Sequence, residues 1–165
     1  MKQLSSKIFV VISALFLISC EGNSPTHDQP STMQKSAKRG VSFNFTNIQD
    51  LPLLSPAISW SYTWANAQNT TSALWFDTNE MDFCPMCWNS SYSAAKIRQY
   101  VQEHPNTKYL LGFNEPNLTD QCNMTPAQAA GPWQEVVALA KELNLKLVSP
   151  AMNYGTLAGY HDPIK

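Results

Sequence analysis

The sequence predicts an α/β fold in which parallel strands alternate with helices. Short apolar segments with the branched and aromatic character of strands recur along the chain, separated by helical or loop segments. This alternation is typical of a parallel sheet. Polar or aromatic residues stand where these segments end: Asn44, Trp64, Trp88, Asn114 and Asn153. Because a (β/α) barrel builds its active face at the carboxyl ends of its strands, the distribution favours a barrel.

Three strands are predicted in the first part of the domain, at residues 40–45, 57–65 and 81–88. A short helix or turn is predicted at residues 47–54. The second strand alternates large and small side chains, as expected for a strand with two different faces. Pro85 should cost the third strand a ladder hydrogen bond or mark a bulge. Residues 66–74 are predicted to be a polar loop with at most one helical turn.

Two helices and two strands are predicted in the second part of the domain. The first helix spans residues 93–104 and stops before Pro105. A strand follows at residues 109–114. The second helix starts after Thr125, with Pro126 at its first position and Gln128 placed for a capping box, and runs to about residue 144. The last strand spans residues 145–152.

Glu115 ends the fourth predicted strand, in the sequence Asn114-Glu115-Pro116-Asn117. Pro116 has no amide hydrogen and pushes the residue before it toward an extended conformation, so the strand stops there. A carboxyl group at the lip of an apolar strand suits a general acid. The alternative interpretation is a solvated glutamate in an ordinary strand-to-helix loop.

The N-terminus predicts export. Lys2 and Lys7 precede an apolar run at residues 8–18, which is too short to cross a bilayer and matches the core of a signal peptide. The run closes on L-I-S-C, which resembles a bacterial lipobox in which Cys20 is acylated and becomes the first residue of the mature protein. Ordinary cleavage near Ser19 with an incidental cysteine is the alternative.

These features divide the chain into three parts. Residues 1–20 are predicted to be a lipoprotein signal peptide, residues 21–38 a polar, disordered tether, and residues 39–165 a folded domain. The predicted location is the bacterial cell envelope or cell surface, with the protein held to the membrane through an N-terminal lipid anchor.

Three cysteines follow the tether, in an exported and therefore oxidising setting. A structural zinc site needs four ligands, and Cys84 and Cys87 have no partner pair in the sequence, so no metal site is predicted. The two residues differ in parity along the third strand, which predicts opposite faces. Cys87 lies near that strand's end and Cys122 in the loop after the next strand, so a Cys87–Cys122 disulfide is the preferred pairing.

Composition excludes an electrostatic attraction to nucleic acid. The net charge is −1, so neither nucleic acid nor an anionic partner is predicted. Charged residues make up only 14% of the chain, whereas aromatic residues make up 11% and include five tryptophans. This balance suits a globular domain with aromatic surfaces, such as a sugar binder.

Six segments occur in an order and spacing that resemble one enzyme family. They are K-R-G-V-S-F-N, S-W-S-Y-T-W, F-C-P-M-C-W, L-L-G-F-N-E-P-N, N-M-T-P-A-Q-A-A and L-V-S-P-A-M-N-Y-G. Together they are similar to the glycosyl hydrolase catalytic-core family, family 128 of the glycoside hydrolases, which comprises β-1,3-glucanases. The resemblance covers residues 39–165. It implies a (β/α)8 TIM barrel and retaining, endo-type hydrolysis of β-1,3-glucan, with Glu115 as acid/base and Asn114 binding the sugar near its 2-hydroxyl.

The resemblance also implies a nucleophile, a second glutamate at the end of strand seven. A (β/α)8 barrel takes about 250 residues, whereas this chain has 165 residues and five predicted strands. Asp77, Glu80 and Asp82 precede or begin the third strand, at the wrong end of a barrel to oppose Glu115. Asp120 lies in the loop after strand four, beside Glu115 and not across the barrel from it, and Asp162 follows strand five by several residues. We therefore expect the chain to hold roughly the first five β/α units, the nucleophile to lie beyond Lys165, and the chain alone to be inactive.

The candidate substrate-binding residues are the strand-end residues. Trp64 and Trp88 can stack on a pyranose ring, and core packing is the alternative for both. Asn44, Asn114 and Asn153 can hydrogen-bond sugar hydroxyls, although Asn153 can also simply form the turn after strand five. The predicted partner is a β-glucan polysaccharide or oligosaccharide, with no cofactor and a monomeric full-length protein. The alternative function is a non-catalytic carbohydrate-binding surface lipoprotein.

Overall fold

The computed structural model describes residues 34–153, which form five strands and four helices. The predicted signal peptide with Cys20, most of the predicted tether and residues 154–165 lie outside the described residues. In chain order the elements are β1 Ser36–Ser42, α1 Asp50–Leu54, β2 Ile58–Tyr62, α2 Thr70–Thr78, β3 Asp82–Phe83, α3 Ala94–Glu103, β4 Tyr109–Leu111, α4 Pro126–Glu142 and β5 Lys146–Val148. Within residues 34–153, no helix has the length and hydropathy needed to span a membrane.

The strands pair in sequence order, and every pairing is parallel. β1, β2 and β3 form one sheet, and β4 pairs with β5 in a second. The segment after β3 joins the two sheets, because Met86 forms a parallel bridge with Leu111. The Leu111 amide donates to the Pro85 carbonyl oxygen, and the Cys87 amide donates to the Leu111 carbonyl oxygen, both at 2.9 Å. The predicted α/β class with parallel strands is confirmed.

The third strand is much shorter than the predicted residues 81–88. Regular pairing covers only Asp82–Phe83. Beyond it the Cys84 amide donates to the Ser61 carbonyl oxygen of β2, and the Met86 amide donates to the Ala65 carbonyl oxygen after β2, both at 2.9 Å. The donors are two residues apart and the acceptors four, so the ladder is irregular here. Pro85 has no amide hydrogen, and its carbonyl oxygen accepts the Leu111 amide, so its backbone faces β4.

The first strand is shifted toward the N-terminus relative to the predicted residues 40–45. It begins at Ser36, so residues 36–38, assigned to the tether, belong to the sheet. Ser36 pairs with Ile58, and the Ser59 hydroxyl donates to the Ser36 carbonyl oxygen at 2.9 Å. The side chains at positions 37–39 are exposed. The register with β2 is irregular between Ser36 and Gly40. Since the side chains at positions 37–39 are not buried, this part of the strand shows no apolar pattern.

A helix replaces the polar loop predicted at residues 66–74. α2 begins after Asn69, whose side-chain oxygen accepts a hydrogen bond from the Ser72 amide at 2.9 Å, and it continues to Thr78. Ala73 and Phe76 are buried on its inner face. Phe76 makes edge-to-face contacts with Phe45 and Phe83. These contacts stabilise a helix that is rich in serine and threonine and has a low intrinsic propensity.

The helices α3 and α4 confirm the predictions for residues 93–104 and 125–144. Ser93 caps α3, and Thr125 forms a complete capping box with Gln128 at the start of α4. The remaining strands are shorter than predicted: β2 by four residues, β4 by three and β5 by five. Their predicted C-terminal residues lie in loops, so the residues expected at strand ends lie beyond the regular ladder.

Two apolar clusters form the interior, and α3 contributes to both. Leu51, Ile58, Phe76 and Phe83 belong to the cluster beside β1–β3, with Tyr100 of α3. The cluster beside β4 and β5 contains Ile97 of α3 and is completed by Cys87, Leu110, Phe113, Cys122, Val136, Leu139, Ala140 and Leu145. The packing is close enough to require glycine at position 112, where a Cβ atom would lie 2.7 Å from the Trp133 indole.

Candidate active site

Glu115 lies just beyond β4, where the chain leaves the sheet. The Asn114 amide donates to the Trp88 carbonyl oxygen at 2.9 Å, and the Glu115 amide donates to the Ala151 carbonyl oxygen at 2.8 Å. The residue is therefore fixed between the segments that follow β3 and β5. Its φ is 43°, in the left-handed region that costs a residue other than glycine about 1–3 kcal/mol and that is enriched at functional sites.

The Glu115 side chain is held by Asn153. Asn153 Nδ2 donates to Glu115 Oε1 at 2.7 Å, across 38 positions of sequence, and both residues are partly buried. The Asn153 Oδ1 atom is buried and has no hydrogen-bond partner among residues 34–153. Since the amide binds one carboxyl oxygen, it restricts rotation of the carboxyl group and fixes its orientation.

Asn117 in turn holds the backbone of Asn153. The Asn153 amide donates to Asn117 Oδ1 at 2.9 Å, and Asn117 Nδ2 donates to the Asn153 carbonyl oxygen at 3.1 Å. The Asn117 side chain is almost completely buried, since the residue is only 2% exposed. No role for Asn117 was predicted from the sequence. The sequence feature that could have indicated a role is its position two residues after Glu115. Pro116 cannot donate a backbone hydrogen bond in this loop, so a side chain that can donate one is useful there.

Asn114 is the second buried asparagine of this loop. It is 7% exposed, and its Nδ2 atom donates to Gln121 Oε1 at 2.9 Å. Gln121 was also missed by the sequence analysis, and no local pattern marks it. The contact fixes the side-chain orientation of Asn114 next to Glu115, which a residue that recognises one sugar hydroxyl requires.

The two predicted stacking residues lie in different surroundings. Trp88 is half-buried, and its carbonyl oxygen accepts the Asn114 amide, which places its backbone beside the residue that precedes Glu115. Trp64 is 37% exposed and lies after β2 with a φ of 59°. Its indole contacts the Tyr62 ring edge to face, with 5.3 Å between ring centroids.

Asn44 lies apart from this group. It is exposed and lines a cleft of about 230 Å³ together with Thr63, Gln68 and Asn69. Among residues 34–153, no hydrogen bond joins Asn44 or Trp64 to Glu115. The structure therefore brings together Trp88, Asn114, Glu115 and Asn153, and it places Asn44 and Trp64 over the ends of β1 and β2.

Comparison with known proteins identifies the family to which this arrangement belongs. The sequence profile described as the glycosyl hydrolase catalytic core matches residues 40–162. The chain belongs to this glycosyl hydrolase family. The match spans the strand-end loop with Glu115 and both buried asparagines, and the resemblance found in the sequence is confirmed. None of the curated proteins compared with the chain is similar to it.

Solved structures of glycosyl hydrolases are similar to the chain. One is a subgroup II endo-β-1,3-glucanase of family 128 from Pseudomonas viridiflava, with 41% identity and a TM-score of 0.71 over 79% of this chain. Another is the subgroup II endo-β-1,3-glucanase from Sorangium cellulosum, with 33% identity and a TM-score of 0.66 over 77% of this chain. A subgroup I endo-β-1,3-glucanase from Amycolatopsis mediterranei, solved with laminaritriose, has 25% identity and a TM-score of 0.52 over 74% of this chain.

The matched region is about half of each of these enzymes. It covers 51% of the Pseudomonas viridiflava chain, 50% of the Sorangium cellulosum chain and 45% of the Amycolatopsis mediterranei chain. The chain thus spans about half the length of these solved enzymes.

A second group of carboxylates in this glycosyl hydrolase chain lies at the other end of the strands. Asp77, Glu80 and Asp82 line a cleft with His104 and Lys108, beside the first residues of β3 and β4. Asp77 contacts His104 at 3.3 Å, and Asp82 forms an ion pair with Lys108. These acids are therefore placed as the sequence predicts, away from Glu115. Within the described residues, no three His, Cys, Asp or Glu side chains are arranged to hold a metal ion.

The predicted Cys87–Cys122 disulfide is wrong for this structure. Cys84, Cys87 and Cys122 are all free and buried, and Cys87 and Cys122 belong to the same apolar cluster. Cys84 and Cys87 are 4% and 0% exposed, so neither of the two predicted orientations leads to solvent. Burial raises the pKa of Cys84 and of Cys87 to about 12 and that of Cys122 to about 11. The thiols therefore stay protonated and unreactive at neutral pH.

Proposed function

We propose that the whole protein is a retaining, endo-type glycoside hydrolase that acts on β-1,3-glucan. One observation carries the proposal. Glu115 is held beyond the end of β4 by Asn153, in a chain whose sequence is 41% identical to that of an endo-β-1,3-glucanase. The glucanase from Amycolatopsis mediterranei binds laminaritriose, which supports a linear β-1,3-glucan as the substrate class.

We infer that the five parallel strands are the first part of a (β/α)8 barrel. Sequential parallel pairing and the helices between strands support this architecture. In such a barrel the residues after each strand share one face. Trp64, Trp88, Asn114 and Asn153 would then line one groove with Glu115, and Asn44 would lie at its rim.

Glu115 is proposed as the acid/base residue. As an acid, it gives its proton to the glycosidic oxygen while the C1–O bond breaks and the sugar forms a bond to the nucleophile. As a base, it then takes a proton from the water that releases the sugar from the nucleophile. The Asn153 amide holds one carboxyl oxygen in place during both steps, so the proton is transferred from a fixed position.

Substrate contacts are assigned to the residues around Glu115. The indoles of Trp64 and Trp88 are proposed to stack on glucose rings, and Asn114, oriented by Gln121, to hydrogen-bond the sugar beside Glu115. Asn44 is proposed to bind a more distant sugar. Asn153, which the sequence predicts to bind sugar, is instead proposed to hold the Glu115 carboxyl group, since its amide already donates to Glu115.

Retaining hydrolysis also needs a nucleophilic carboxylate about 5–5.5 Å from the acid/base. The carboxylates near β3 lie at the opposite strand ends, where Asp82 is paired with Lys108. We therefore propose that the nucleophile is not among residues 34–153 and that the 165-residue chain alone does not hydrolyse glucan.

The test measures reducing ends released from a linear β-1,3-glucan by the whole protein and by its Glu115→Gln variant. The substitution keeps the shape and the hydrogen bond to Asn153 but cannot exchange a proton. Turnover should fall by about two to four orders of magnitude. An aryl glycoside whose leaving group departs without protonation should lose much less in the first step.

Two controls complete this test. The 165-residue chain and its Glu115→Gln variant should give the same background. Activity of the unmodified chain above that background would show that one of its own carboxylates is the nucleophile. A folded whole protein that binds glucan without releasing reducing ends would instead favour the alternative, a non-catalytic carbohydrate-binding surface lipoprotein.

We also propose that the protein is exported and anchored to the bacterial envelope through an acylated Cys20, and that it acts as a monomer. The lipobox-like sequence before Cys20 supports the anchor. A single acyl chain binds membrane only marginally, whereas two or three chains hold a protein firmly. Intact-mass measurement of the mature protein should give the acylated mass, and an unmodified N-terminus would contradict the anchor.

A further inference from the structure

The backbone ladder between the segments that follow β4 and β5 stops abruptly at Glu115. The Ala151 amide donates to the Phe113 carbonyl oxygen at 3.0 Å, and the Glu115 amide donates to the Ala151 carbonyl oxygen at 2.8 Å. A regular parallel ladder would continue with Asn153 bonded to the Glu115 carbonyl oxygen and to the amide of residue 117. Instead the Glu115 carbonyl oxygen accepts the Leu118 amide at 3.0 Å, because the chain turns away.

The side chain of Asn117 takes the place of the missing backbone. Its Oδ1 atom accepts the Asn153 amide at 2.9 Å, and its Nδ2 atom donates to the Asn153 carbonyl oxygen at 3.1 Å. A primary amide offers the same acceptor and donor as a peptide group. The ladder is thereby extended by one residue, although the backbone of residues 115–118 has left the sheet.

This extension determines where the Asn153 side chain lies. With both backbone groups held, Asn153 directs its Nδ2 atom to Glu115 Oε1 at 2.7 Å. Within residues 34–153, no hydrogen bond joins the Asn117 side chain to the Glu115 carboxyl group. Loss of the Asn117 side-chain amide would leave the amide and the carbonyl oxygen of the partly buried Asn153 without these partners, and the Asn153 loop would shift to find others.

We propose that Asn117 is a positioning residue, which orients the Glu115 carboxyl group by holding Asn153 through a side-chain copy of a backbone ladder. This inference rests on the proposed function of Glu115. If the inference is correct, Asn117 acts through Asn153, and loss of Asn117 slows proton transfer to the leaving group.

The first measurement is independent of activity and uses the 165-residue chain. In nuclear magnetic resonance spectra, the Asn153 side-chain amide should show a downfield, slowly exchanging proton, which marks its bond to the carboxylate. Asn117→Ala should abolish this signature and the exchange protection of the Asn153 backbone amide. Asn117→Asp keeps the shape and the acceptor but loses the donor, so it should weaken both. Unchanged Asn153 signals in the folded variants would overturn the inference.

The second measurement uses the whole protein. Asn117→Ala should lower kcat on β-1,3-glucan by about 10- to 100-fold, the scale of a misplaced catalytic group, with KM little changed. On an aryl glycoside whose leaving group needs no proton, kcat/KM, which reports the first chemical step, should fall by no more than about threefold, since protonation contributes little there. Equal losses of kcat/KM on both substrates would mean general structural damage and would contradict positioning. Asn106→Ala, in an exposed loop at the opposite strand ends, is the matched control.

A double-mutant cycle tests the route through Asn153. In an Asn153→Ala background, Asn117→Ala should have no further effect on glucan turnover. Additive losses would show that Asn117 acts by another route and would overturn the inference. Should the unmodified whole protein fail to hydrolyse glucan, the proposed function fails, and the resonance measurement decides the role of Asn117 by itself.

Discussion

The ends of β2 and β4 each carry a residue other than glycine with a left-handed backbone, but they hold it differently. Trp64, after β2, has a φ of 59° and is 37% exposed. Its ring contact is with Tyr62. Glu115, after β4, has a φ of 43°, and its backbone, its side chain and its hydrogen-bond partner Asn153 are all fixed by further hydrogen bonds.

This difference fits the two proposed roles. A general acid must hold its proton within hydrogen-bond reach of one oxygen atom, so a buried network that fixes its orientation is useful. A stacking residue must leave one ring face open to solvent until a sugar covers it. The end of β4 therefore carries a preorganised site, and the end of β2 an open surface.

We expect the difference between the two regions to be confined to the polar strand ends, because the apolar clusters beneath both are closed to solvent. In a Cys20→Ser chain at pH 8, a thiol reagent should modify Cys84 and Cys87 about a thousandfold more slowly in buffer than in urea, since their pKa is raised to about 12. Cys122, with a pKa of about 11, should be slowed about a hundredfold. Fast modification of one full equivalent of thiol in buffer would show that one of the apolar clusters is open to solvent.

The same thiols predict a pH dependence of stability. Because folding raises their pKa from 9.0 toward 11–12, the unfolded chain loses these protons first. The free energy of unfolding should therefore fall as the pH rises from about 9 to 12. Urea titrations at pH 8 and pH 10.5 measure the fall, and it should be smaller in a Cys87→Ala variant.

Substitution of two asparagines tests the difference between the preorganised end of β4 and the open surface at the ends of β1 and β2. Asn153→Ala removes the hydrogen bond to Glu115, so kcat of the whole protein on β-1,3-glucan should fall about 10- to 100-fold. Asn44→Ala, at an exposed position, should raise KM and leave kcat nearly unchanged. Steady-state kinetics give both constants, and a kcat loss for Asn44→Ala as large as that for Asn153→Ala would remove the distinction.

Two glycines test whether both regions are packed to the same tightness. A Cβ atom at Gly112 would lie 2.7 Å from the Trp133 indole and 2.9 Å from the Val148 carbonyl oxygen, and one at Gly40 would lie 2.1 Å from the Trp60 indole. Each change to alanine should lower the free energy of unfolding by about 1–3 kcal/mol. Gly131→Ala, which meets no atom within 4 Å, is the control and should stay within about 1 kcal/mol. Urea denaturation measures all three.

The smallest expected effects concern the two tryptophans. Trp88→Ala and Trp64→Ala should each weaken binding of a laminarin-type glucan to the whole protein by about 1 kcal/mol, the scale of one aromatic stacking contact. Calorimetry or affinity electrophoresis measures the change. Unchanged affinity in both folded variants would assign the two rings to packing.

Local chemistry made part of the fold predictable from the sequence. Thr125, Pro126 and Gln128 define the start of α4 because capping and proline geometry involve neighbours only. The six segments placed the chain in its family. The extended conformation that Pro116 predicts for Glu115 is wrong, because Glu115 has a φ of 43° and β4 already ends at Leu111. The helix α2 could not be predicted in this way, because Phe76 stabilises it through contacts with Phe45 and Phe83 from other elements.

The sequence by itself therefore determined the class of fold, the family, and the candidate acid Glu115. Only the tertiary structure decided what holds that acid. Asn117 and Asn153 are 36 positions apart, and Asn153 and Glu115 are 38 positions apart. They meet because parallel pairing brings the segment after β5 beside the segment after β4, and no local propensity encodes that register.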